Sequence, residues 1–353
     1  IIIRAMSKAL LLINLGTPAA PTAGGLRAFY RHFFADRFVF DINPLGLWLL
    51  RNLIILPLRA PRTAGDYAGI WMDEGSPLAV YSERVRRGVA EKFAAAGEDV
   101  AVRCGMAYSQ PFIAETMAQL EREGRDEILM LPLYPQYARA TTASAVHAVK
   151  AAAKKWRRAP RIRFVDDFFA EPAFIRAWKL VIDASLPAGS VDHIVFSYHG
   201  LPEAQIRKAD AAGCCDFGAC CDAVGEKNRG CYRAQCMATS RAIAGAQAWE
   251  DSFWSSAFQS RFGPAEWIKP YLDAHLLELL ASGKKRIAVT TPSFVTDCLE
   301  TLHEIGIEYR EQFIEAGGEE LLLVPNLNDS PQWVDAVHEI AAGKLAQIAS
   351  KMP

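Results

Sequence analysis

A histidine lies directly after an apolar, strand-like stretch, where the chain has to turn. The predicted strand runs from His193 to Tyr198, His199 follows it, and Gly200 and Pro202 behind His199 force the chain to turn. An imidazole at such a position can accept a proton near neutral pH, or bind a metal ion as the neutral ring. A purely structural role for this histidine is the alternative that the residues leave open.

A second group of candidate side chains is acidic and also follows a strand-like stretch. Asp297 precedes the segment Cys298–Ala316, whose periodicity predicts a helix. Glu300, Glu304 and Glu308 follow at four-residue steps, which would place all three on one helical face. Such a file of carboxylates can bind a hard divalent cation or relay protons. A helix cap at Asp297 followed by a solvated acidic face is the alternative.

Six of the eight cysteines lie in one short segment. They are Cys214, Cys215, Cys220, Cys221, Cys231 and Cys236. The segment holds no histidine, so its donor set is sulfur alone, which suits zinc or an iron–sulfur cluster. One site needs about four ligands, so at least two of these thiols would be bystanders. The Gly-, Ala- and Asp-rich surroundings are typical of an inserted loop, and buried inert thiols are the alternative.

The composition excludes several classes of protein. The chain has 353 residues, 51% of them hydrophobic, and a net charge of −1 at pH 7. It can therefore bury a large core, and it lacks the basic excess of a nucleic-acid binder. Eight cysteines in this length are too few for a disulfide-stapled miniprotein. We expect a true start at Met6, no secretory signal and a reducing cytoplasm, where clustered cysteines bind metal more often than they pair.

Alternating strands and helices must position these candidate residues. Short apolar runs alternate with helical segments twice along the chain, which predicts βαβ units and a parallel sheet in each half. The predicted fold class is α/β, with two Rossmann-like, doubly wound halves. We place them at 7–187 and 188–328, with a cysteine-rich insert at 212–236 and a C-terminal helix at 329–350. Such sheets bind ligands in the loops that follow the carboxyl ends of their strands.

Residues 38–58 are unusually apolar. Asp41, Pro44, Arg51 and Asn52 interrupt the run, so it is too broken for the roughly 20 residues of a membrane-spanning helix. An apolar lip that binds a greasy ligand or contacts a membrane surface is one interpretation. A buried helix is the other.

Taken together, several motifs resemble the ferrochelatase family, over nearly the whole chain from about Ala9 to His338. No single motif is decisive, but their order along the chain is specific. They are Leu12–Pro18, Gly75–Leu78, Leu133–Tyr137, Phe196–Pro202, Phe258–Pro264 and Pro292–Ile305. The resemblance implies a chelatase-type fold that clasps a porphyrin. It also implies the insertion of Fe²⁺ into protoporphyrin IX to form protohaem, the last step of haem biosynthesis.

The resemblance also implies roles for individual residues. His199 and Glu300 match catalytic positions of the family, and the division of iron binding and proton transfer between them stays open. The other matched positions are substrate-binding. They are Leu15 and Tyr134 at the macrocycle, Arg59, Tyr67 and Ser76 at its propionates, and Asp297 beside Glu300. The apolar segment 38–58 would form the lip of the porphyrin cleft.

Three positions depart from common family patterns. Cys298 stands where many members have histidine, Ala107 where many have arginine, and Arg139 where the cluster-bearing animal enzymes have a ligand cysteine. The animal-type cluster therefore cannot form. The resemblance instead implies a bacterial type, in which four of the six cysteines at 212–236 hold a 2Fe-2S cluster.

The expected partners are protoporphyrin IX and Fe²⁺, with no nucleic acid, in a monomer or homodimer. We expect a cytoplasmic protein, and the apolar segment leaves peripheral contact with the inner membrane open. One alternative is another tetrapyrrole chelatase, acting on coproporphyrin or sirohydrochlorin. An iron–sulfur redox or sensor protein and a zinc-stapled interaction protein are alternatives of a different class.

Overall fold

The computed structural model describes residues 7–41 and 43–349, so the expected start at Met6 lies outside the described residues. The chain divides into two compact units. Within the described residues, the first unit contains the chain up to Tyr134, then Arg139–Asp167, and the chain from Trp333 onward. The second unit contains Pro135–Ala138 and Phe168–Gln332.

Parallel strands form a four-stranded sheet in the first unit. They are β1 (Lys8–Asn14), β2 (Val100–Met106), β3 (Glu127–Pro132) and β4 (Arg161–Phe164). Their order in the sheet is β2-β1-β3-β4. The central strand β1 is completely buried from Ala9 to Ile13. A continuous apolar run of this kind is typical of a parallel sheet covered on both faces, and the prediction of a buried strand here is confirmed.

Helices connect these strands. They are α1 (Ala23–Phe33), α2 (Pro44–Leu49), a π-helix at Leu50–Arg59, α3 (Ala60–Ile70), α4 (Pro77–Ala95), α5 (Ile113–Arg122), and a π-helical turn at Arg139–Ala143 that leads into α6 (Ser144–Ala153). Thr22 caps α1 by accepting the N–H of Gly25 on its side chain. The cap satisfies one of the unpaired donors at the start of that helix.

The apolar segment at 38–58 enters a continuous helical stretch whose middle is widened to a π-helix. Pro57 lies inside the π-helix, and proline there lacks an N–H and crowds the preceding turn, which disfavours the ordinary α-helical bonds. Only Ile55 and Leu56 of the π-helix are buried, whereas Leu53 and Leu58 are 59% and 68% exposed. The buried-helix interpretation therefore fails for most of this helix. Among the residues described, none of the helices is both long and apolar enough to span a bilayer.

The second unit repeats the architecture of the first. Its parallel strands are β5 (His193–His199), β6 (Trp254–Gln259), β7 (Arg286–Thr290) and β8 (Glu320–Leu323), in the order β6-β5-β7-β8. Its helices are α7 (Pro172–Ser185), α8 (Glu203–Ala209), α9 (Tyr232–Gln247), α10 (Leu272–Ala281), α11 (Leu299–Leu302), a π-helix at Glu304–Tyr309 and α12 (Arg310–Glu315). Short 3₁₀ turns lie at Ala219–Cys221, Glu226–Asn228 and Asp251–Phe253. The α/β class with two similar parallel-sheet halves is confirmed.

The division between the two units differs from the predicted boundary at 187. Helix α7 belongs to the second unit because it packs against α9. The last helix, α13 (Pro331–Ala349), packs in the first unit, where the His338 ring meets Phe93 of α4 at 4.5 Å between ring centres. Periodicity identifies a helix, but it does not show which sheet the helix covers.

Candidate active site

The carboxyl ends of β5 and β6 carry the centre of the candidate site. His199 ends β5 and Gln259 ends β6, and the two residues are register partners. The N–H of Gly200 donates to the carbonyl oxygen of Gln259 at 2.8 Å. A Cβ at Gly200 would lie only 3.0 Å from that oxygen. Glycine therefore allows the tight turn after His199 that the sequence indicates.

The imidazole of His199 is oriented by its own loop. Its Nδ1 lies 2.6 Å from the carbonyl oxygen of Gly200. Because a carbonyl only accepts hydrogen bonds, Nδ1 carries the proton in the neutral ring and Nε2 is the basic nitrogen. The half-buried ring lies near Trp267 and Phe294, with ring centres 6.3 and 6.2 Å away. Nε2 can thus accept a proton or bind a metal ion.

Gln259 links β5 to α11, the short helix that includes Glu300. Its side-chain oxygen accepts a hydrogen bond from the Ser197 hydroxyl at 2.6 Å, and its amide nitrogen donates to the Glu300 carbonyl at 2.7 Å. Gln259 is only 1% exposed, so both bonds form out of contact with water. A buried amide with satisfied partners fixes the position of the backbone at Glu300.

Glu304 is the carboxylate most firmly held in this site. Its side chain accepts hydrogen bonds from the Ser260 N–H at 2.8 Å and from the Ser260 hydroxyl at 2.5 Å. Burial raises the pKa of Glu304, although the Ser260 bonds and the nearby His199 act in the opposite direction. A carboxyl group in that state can hold and release a proton closer to neutral pH than an exposed glutamate can.

The prediction that Glu300, Glu304 and Glu308 share one helical face is wrong for Glu308. The helix widens at Glu304–Tyr309, where the Glu308 N–H donates to the His303 carbonyl five residues earlier at 2.9 Å. This wider turn breaks the four-residue spacing that the prediction assumed. Glu308 is exposed beside the His303 ring, with 3.7 Å between carboxylate and Nδ1.

Asp297 is buried and holds the loop before the acidic helix. Its carboxylate accepts hydrogen bonds from the Thr301 hydroxyl at 2.9 Å and the Asn328 amide at 2.6 Å. Burial raises the pKa of Asp297 despite these bonds. The expected cap at Asp297 lies one residue later, because Cys298 immediately precedes α11. The structure therefore gives Asp297 a role in shaping the turn that leads to Glu300.

Sequence reasoning missed the contribution of the carboxyl end of β6. Residues 258–264 were noted only as one of the motifs that resemble the family, yet Gln259 hydrogen-bonds to Glu300 and Ser260 to Glu304. The signal that could have found them is the position of a Gln-Ser pair at the carboxyl end of a strand, the same kind of position that singled out His199.

The five other matched residues lie in the first unit, and two of them, Leu15 and Tyr134, follow the carboxyl ends of β1 and β3. Leu15 and Tyr67 both pack against an aromatic cluster that includes Phe29 and Tyr108. Tyr134 follows β3 at the same edge, since the Leu133 N–H donates to the Ile13 carbonyl at 2.7 Å. The remaining two are Arg59, exposed at the end of the π-helix, and Ser76, buried at the start of α4.

The cysteine segment lies between α8 and α9. Cys214, Cys215, Cys220 and Cys231 are partly exposed, whereas Cys221 and Cys236 are buried. The Cys220 and Cys221 sulfurs are 3.7 Å apart, and the Cys221 thiol also donates to Cys231, which lowers the pKa of Cys231. Two carboxylates order the loop, because Asp210 accepts from the Cys215 N–H at 2.7 Å and Asp216 from the Cys220 N–H at 3.2 Å.

The chemistry of this donor set fits a sulfur-ligated metal group. Neighbouring thiols with no imidazole are the ligands of iron–sulfur clusters and of some zinc sites. Within the described ranges, however, no three candidate ligands are arranged closely enough to form a coordination shell as they stand. Cys236 is fully buried in α9.

The fold is that of a chelatase. A solved structure of SirB from Bacillus subtilis with Fe³⁺ superposes with a TM-score of 0.53, and the match covers 98% of both chains at 12% identity. The sirohydrochlorin chelatase SirB from Bacillus subtilis subspecies spizizenii, in complex with cobalt, matches with a TM-score of 0.50 at 10% identity, over 94% of this chain and 92% of that one.

Sequence comparison identifies the family within that class. The sequence model of the family described as Ferrochelatase matches residues 7–345. The curated ferrochelatase of Coxiella burnetii is 42% identical over 340 residues, which is 95% of this chain and 93% of that protein. The ferrochelatase of Bdellovibrio bacteriovorus is 42% identical over 334 residues, which is 94% of this chain and 98% of that protein. The chain therefore belongs to the ferrochelatase family, whose members are porphyrin metal chelatases.

Proposed function

We propose that this chain inserts Fe²⁺ into protoporphyrin IX and releases two protons to form protohaem. The observation that carries the proposal is an imidazole oriented with a basic Nε2, which interacts electrostatically with the buried carboxylate of Glu304. Membership of the ferrochelatase family supports the reaction class.

The chemistry explains why both groups are needed. Each of two pyrrole N–H groups must lose its proton before four nitrogens can bind the metal. We assign the first acceptance to Nε2 of His199, because the Gly200 carbonyl fixes the ring in the tautomer that accepts there. Glu304, whose pKa is raised by burial, can take the proton on from the imidazole. Glu300, held at its backbone by Gln259, would replace water on the entering Fe²⁺.

We assign macrocycle and propionate binding to side chains of the first unit. Leu15 and Tyr134 lie at one edge of the first sheet, and an apolar surface of this kind suits a flat tetrapyrrole. Arg59 offers a guanidinium for a propionate, and Tyr67 and Ser76 offer hydroxyls. Asp297 supports binding indirectly, by shaping the loop before Glu300.

A direct assay tests the proposal. Purified protein is mixed anaerobically with Fe²⁺ and protoporphyrin IX, and the haem spectrum is followed with time. A parallel reaction with coproporphyrin tests the neighbouring substrate. We expect turnover with protoporphyrin, whereas turnover with coproporphyrin alone would correct the substrate and failure with both would overturn the proposed reaction.

We further propose that four of the six clustered cysteines hold a 2Fe-2S cluster. The sulfur-only donor set and the close Cys220–Cys221 pair support it. When bound, the cluster would crosslink the loop, and metal insertion itself needs no electron transfer. Anaerobically purified protein should absorb in the visible region, because iron–sulfur clusters are coloured and zinc sites are not. A colourless protein that contains stoichiometric zinc would contradict the cluster and would indicate a zinc site instead.

We also propose a cytoplasmic protein that contacts the inner membrane peripherally. Leu45, Trp48, Leu53 and Leu58 are each more than half exposed on α2 and the π-helix that follows, and exposed apolar side chains of this density suit the bilayer interface. In a sedimentation assay with anionic phospholipid vesicles, the wild type should pellet with the vesicles. The double variant Leu53→Ser/Leu58→Ser should stay in the supernatant. Leu180→Ser, on an exposed leucine of the second unit, is the matched control. Equal binding by all three proteins would contradict the proposal.

A further inference from the structure

The first turn of α9 joins the cysteine segment to the loop that carries His199. Cys231 directly precedes α9, and Tyr232 is the first residue of the helix. The Tyr232 hydroxyl donates to the carbonyl oxygen of His199 at 2.9 Å, although the two residues are 33 positions apart in sequence. The site described so far gives this tyrosine no role.

The surroundings of Tyr232 suit a hydrogen-bond donor and not a reacting group. The residue is only 8% exposed, and burial raises the pKa of its phenol well above the ordinary value, so the hydroxyl keeps its proton. The same hydroxyl interacts with the side chain of Ser293, whose oxygen accepts the N–H of His199 at 3.4 Å. Tyr232 therefore contacts both loops that border the imidazole.

The hydrogen bond from Tyr232 reaches the backbone at a position that affects the orientation of the His199 imidazole. The His199 carbonyl belongs to the peptide plane that leads to Gly200, and the Gly200 carbonyl accepts from Nδ1 of His199. If the first plane rotates, the second carbonyl moves and the ring loses its partner. A half-buried carbonyl with no donor would also be costly, so one hydroxyl fixes both planes.

The helix that carries Tyr232 is itself firmly held. Gln235, on the same first turn, accepts the Tyr137 N–H at 2.6 Å and donates to the Arg229 carbonyl at 2.7 Å. One turn later, the Thr239 hydroxyl accepts from the Gln136 amide at 3.0 Å. A donor mounted on such a support can fix a neighbouring loop within tenths of an ångström.

We propose that Tyr232 is a positioning residue for His199, which orients the imidazole through the backbone of its loop. The proposal rests on the proposed role of His199 in metal insertion. It differs from that role because Tyr232 touches neither the porphyrin nor the metal in this scheme. It also gives the cysteine segment a physical connection to the site, through the bond between consecutive residues Cys231 and Tyr232.

The first experiment compares two substitutions that each remove one buried hydroxyl. Tyr232→Phe removes the bond to His199, and we expect kcat to fall about tenfold with the porphyrin KM nearly unchanged. Tyr198→Phe is the matched control, because its buried hydroxyl pairs with Ser240 at 2.8 Å on the same helix. We expect similar losses of Tm in both variants and near-normal kcat in the control. A normal kcat in Tyr232→Phe would overturn the proposal.

The second experiment separates positioning from general damage. In a His199→Ala background no ring remains to be oriented, so adding Tyr232→Phe should cause little further loss of kcat. The full tenfold loss in both backgrounds would show a structural effect and overturn the proposal. Near-normal activity of His199→Ala alone would instead overturn the proposed role of His199, so the two failures are distinguishable.

A spectroscopic measurement on resting protein covers the case in which Tyr232→Phe is too unstable to assay at the standard temperature. With ¹⁵N-labelled histidine at low temperature, the His199 signals are assigned by their loss in His199→Ala. They should shift in Tyr232→Phe and stay in place in Tyr198→Phe. Unchanged His199 signals in Tyr232→Phe would contradict the proposal.

Discussion

Strand β5 begins and ends with a histidine, and the two ends of this strand have opposite chemistry. At the amino end, His193 is 4% exposed, with Nε2 2.8 Å from the Ser255 hydroxyl, which lies 2.7 Å from Nε2 of His275. At the carboxyl end, His199 is half-buried and bonds its own loop through Nδ1. The first ring is enclosed in the sheet, and the second keeps its basic nitrogen for chemistry.

The difference follows from the direction of the strands. In a parallel sheet the carboxyl ends lead into loops that gather at one edge, and ligands bind at that edge. His193 instead lies at the amino end of β5, where burial and the nearby His275 and Lys284 lower its pKa to about 4. Position along the strand, more than residue type, therefore separates a structural histidine from a candidate catalytic one.

Removing the ring at the carboxyl end tests the comparison most strongly. His199→Ala should lower kcat at least about 100-fold, because the proton acceptor is lost, while Tm stays close to the wild-type value. Glu300→Gln should have an effect of the same order. His193→Gln provides the contrast, since it should lower Tm and leave the kcat of the folded enzyme near normal. Equal kcat losses at the two ends of β5 would break the comparison.

Neutralising Glu304 should have a smaller effect on activity and the opposite effect on stability. Glu304→Gln keeps the shape of the side chain and removes its charge, so we expect kcat to fall about tenfold. Because burial raises the pKa of Glu304, its ionised form destabilises the folded state, and the variant should melt above the wild type at pH 8. Steady-state rates and thermal melts measure both effects.

The matched control for Glu304→Gln is Glu308→Gln. Glu308 lies on the same π-helix, exposed beside His303, and its substitution should change neither kcat nor Tm appreciably. If both variants lose activity equally, the glutamates act through their combined negative charge. The proposed difference between buried Glu304 and exposed Glu308 would then be wrong.

The smallest predicted effect is a pH dependence at the amino end of β5. The pKa of His193 is about 4 in the folded chain and about 6.5 in an unfolded one, so the unfolded chain binds the extra proton between these values. Its contribution to stability is thus present above pH 6.5 and is lost as the pH falls toward 4. Thermal melts from pH 7 to pH 4.5 should show a steeper decline for wild type than for His193→Gln. Parallel curves would mean that His193 titrates alike in both states.

The strands could be predicted well from the sequence because a strand that is buried on both faces consists of a continuous run of apolar residues. The run from Ala9 to Ile13 contains only apolar residues, and its short length with Gly16 and Pro18 behind it favours a buried strand over a helix. The loops after these strands followed from topology, so His199 and Glu300 could be selected in advance. Alternation and strand direction indicated these loops, and the resemblance to the ferrochelatase family then selected the two residues as candidates.

The parts that could not be predicted depend on contacts distant in sequence. Glu304 gained its role from Ser260, 44 positions earlier, and periodicity carries no record of such a pair. The π-helical widening at Glu304–Tyr309 also escaped prediction, because ordinary spacing rules assume four-residue steps. The error at Glu308 follows from that assumption.

Because α13 packs in the first unit, that unit can be completed only after the end of the chain has been synthesised. Val334 of α13 packs against α4 so closely that a Cβ at Gly88 would lie 2.9 Å from its side chain. This face of α4 therefore stays open on the ribosome until the whole second unit has been synthesised, and the unit that starts later can close first. A nascent chain would carry an uncovered apolar surface through most of its synthesis, and it is during this interval that the protein would need a chaperone most.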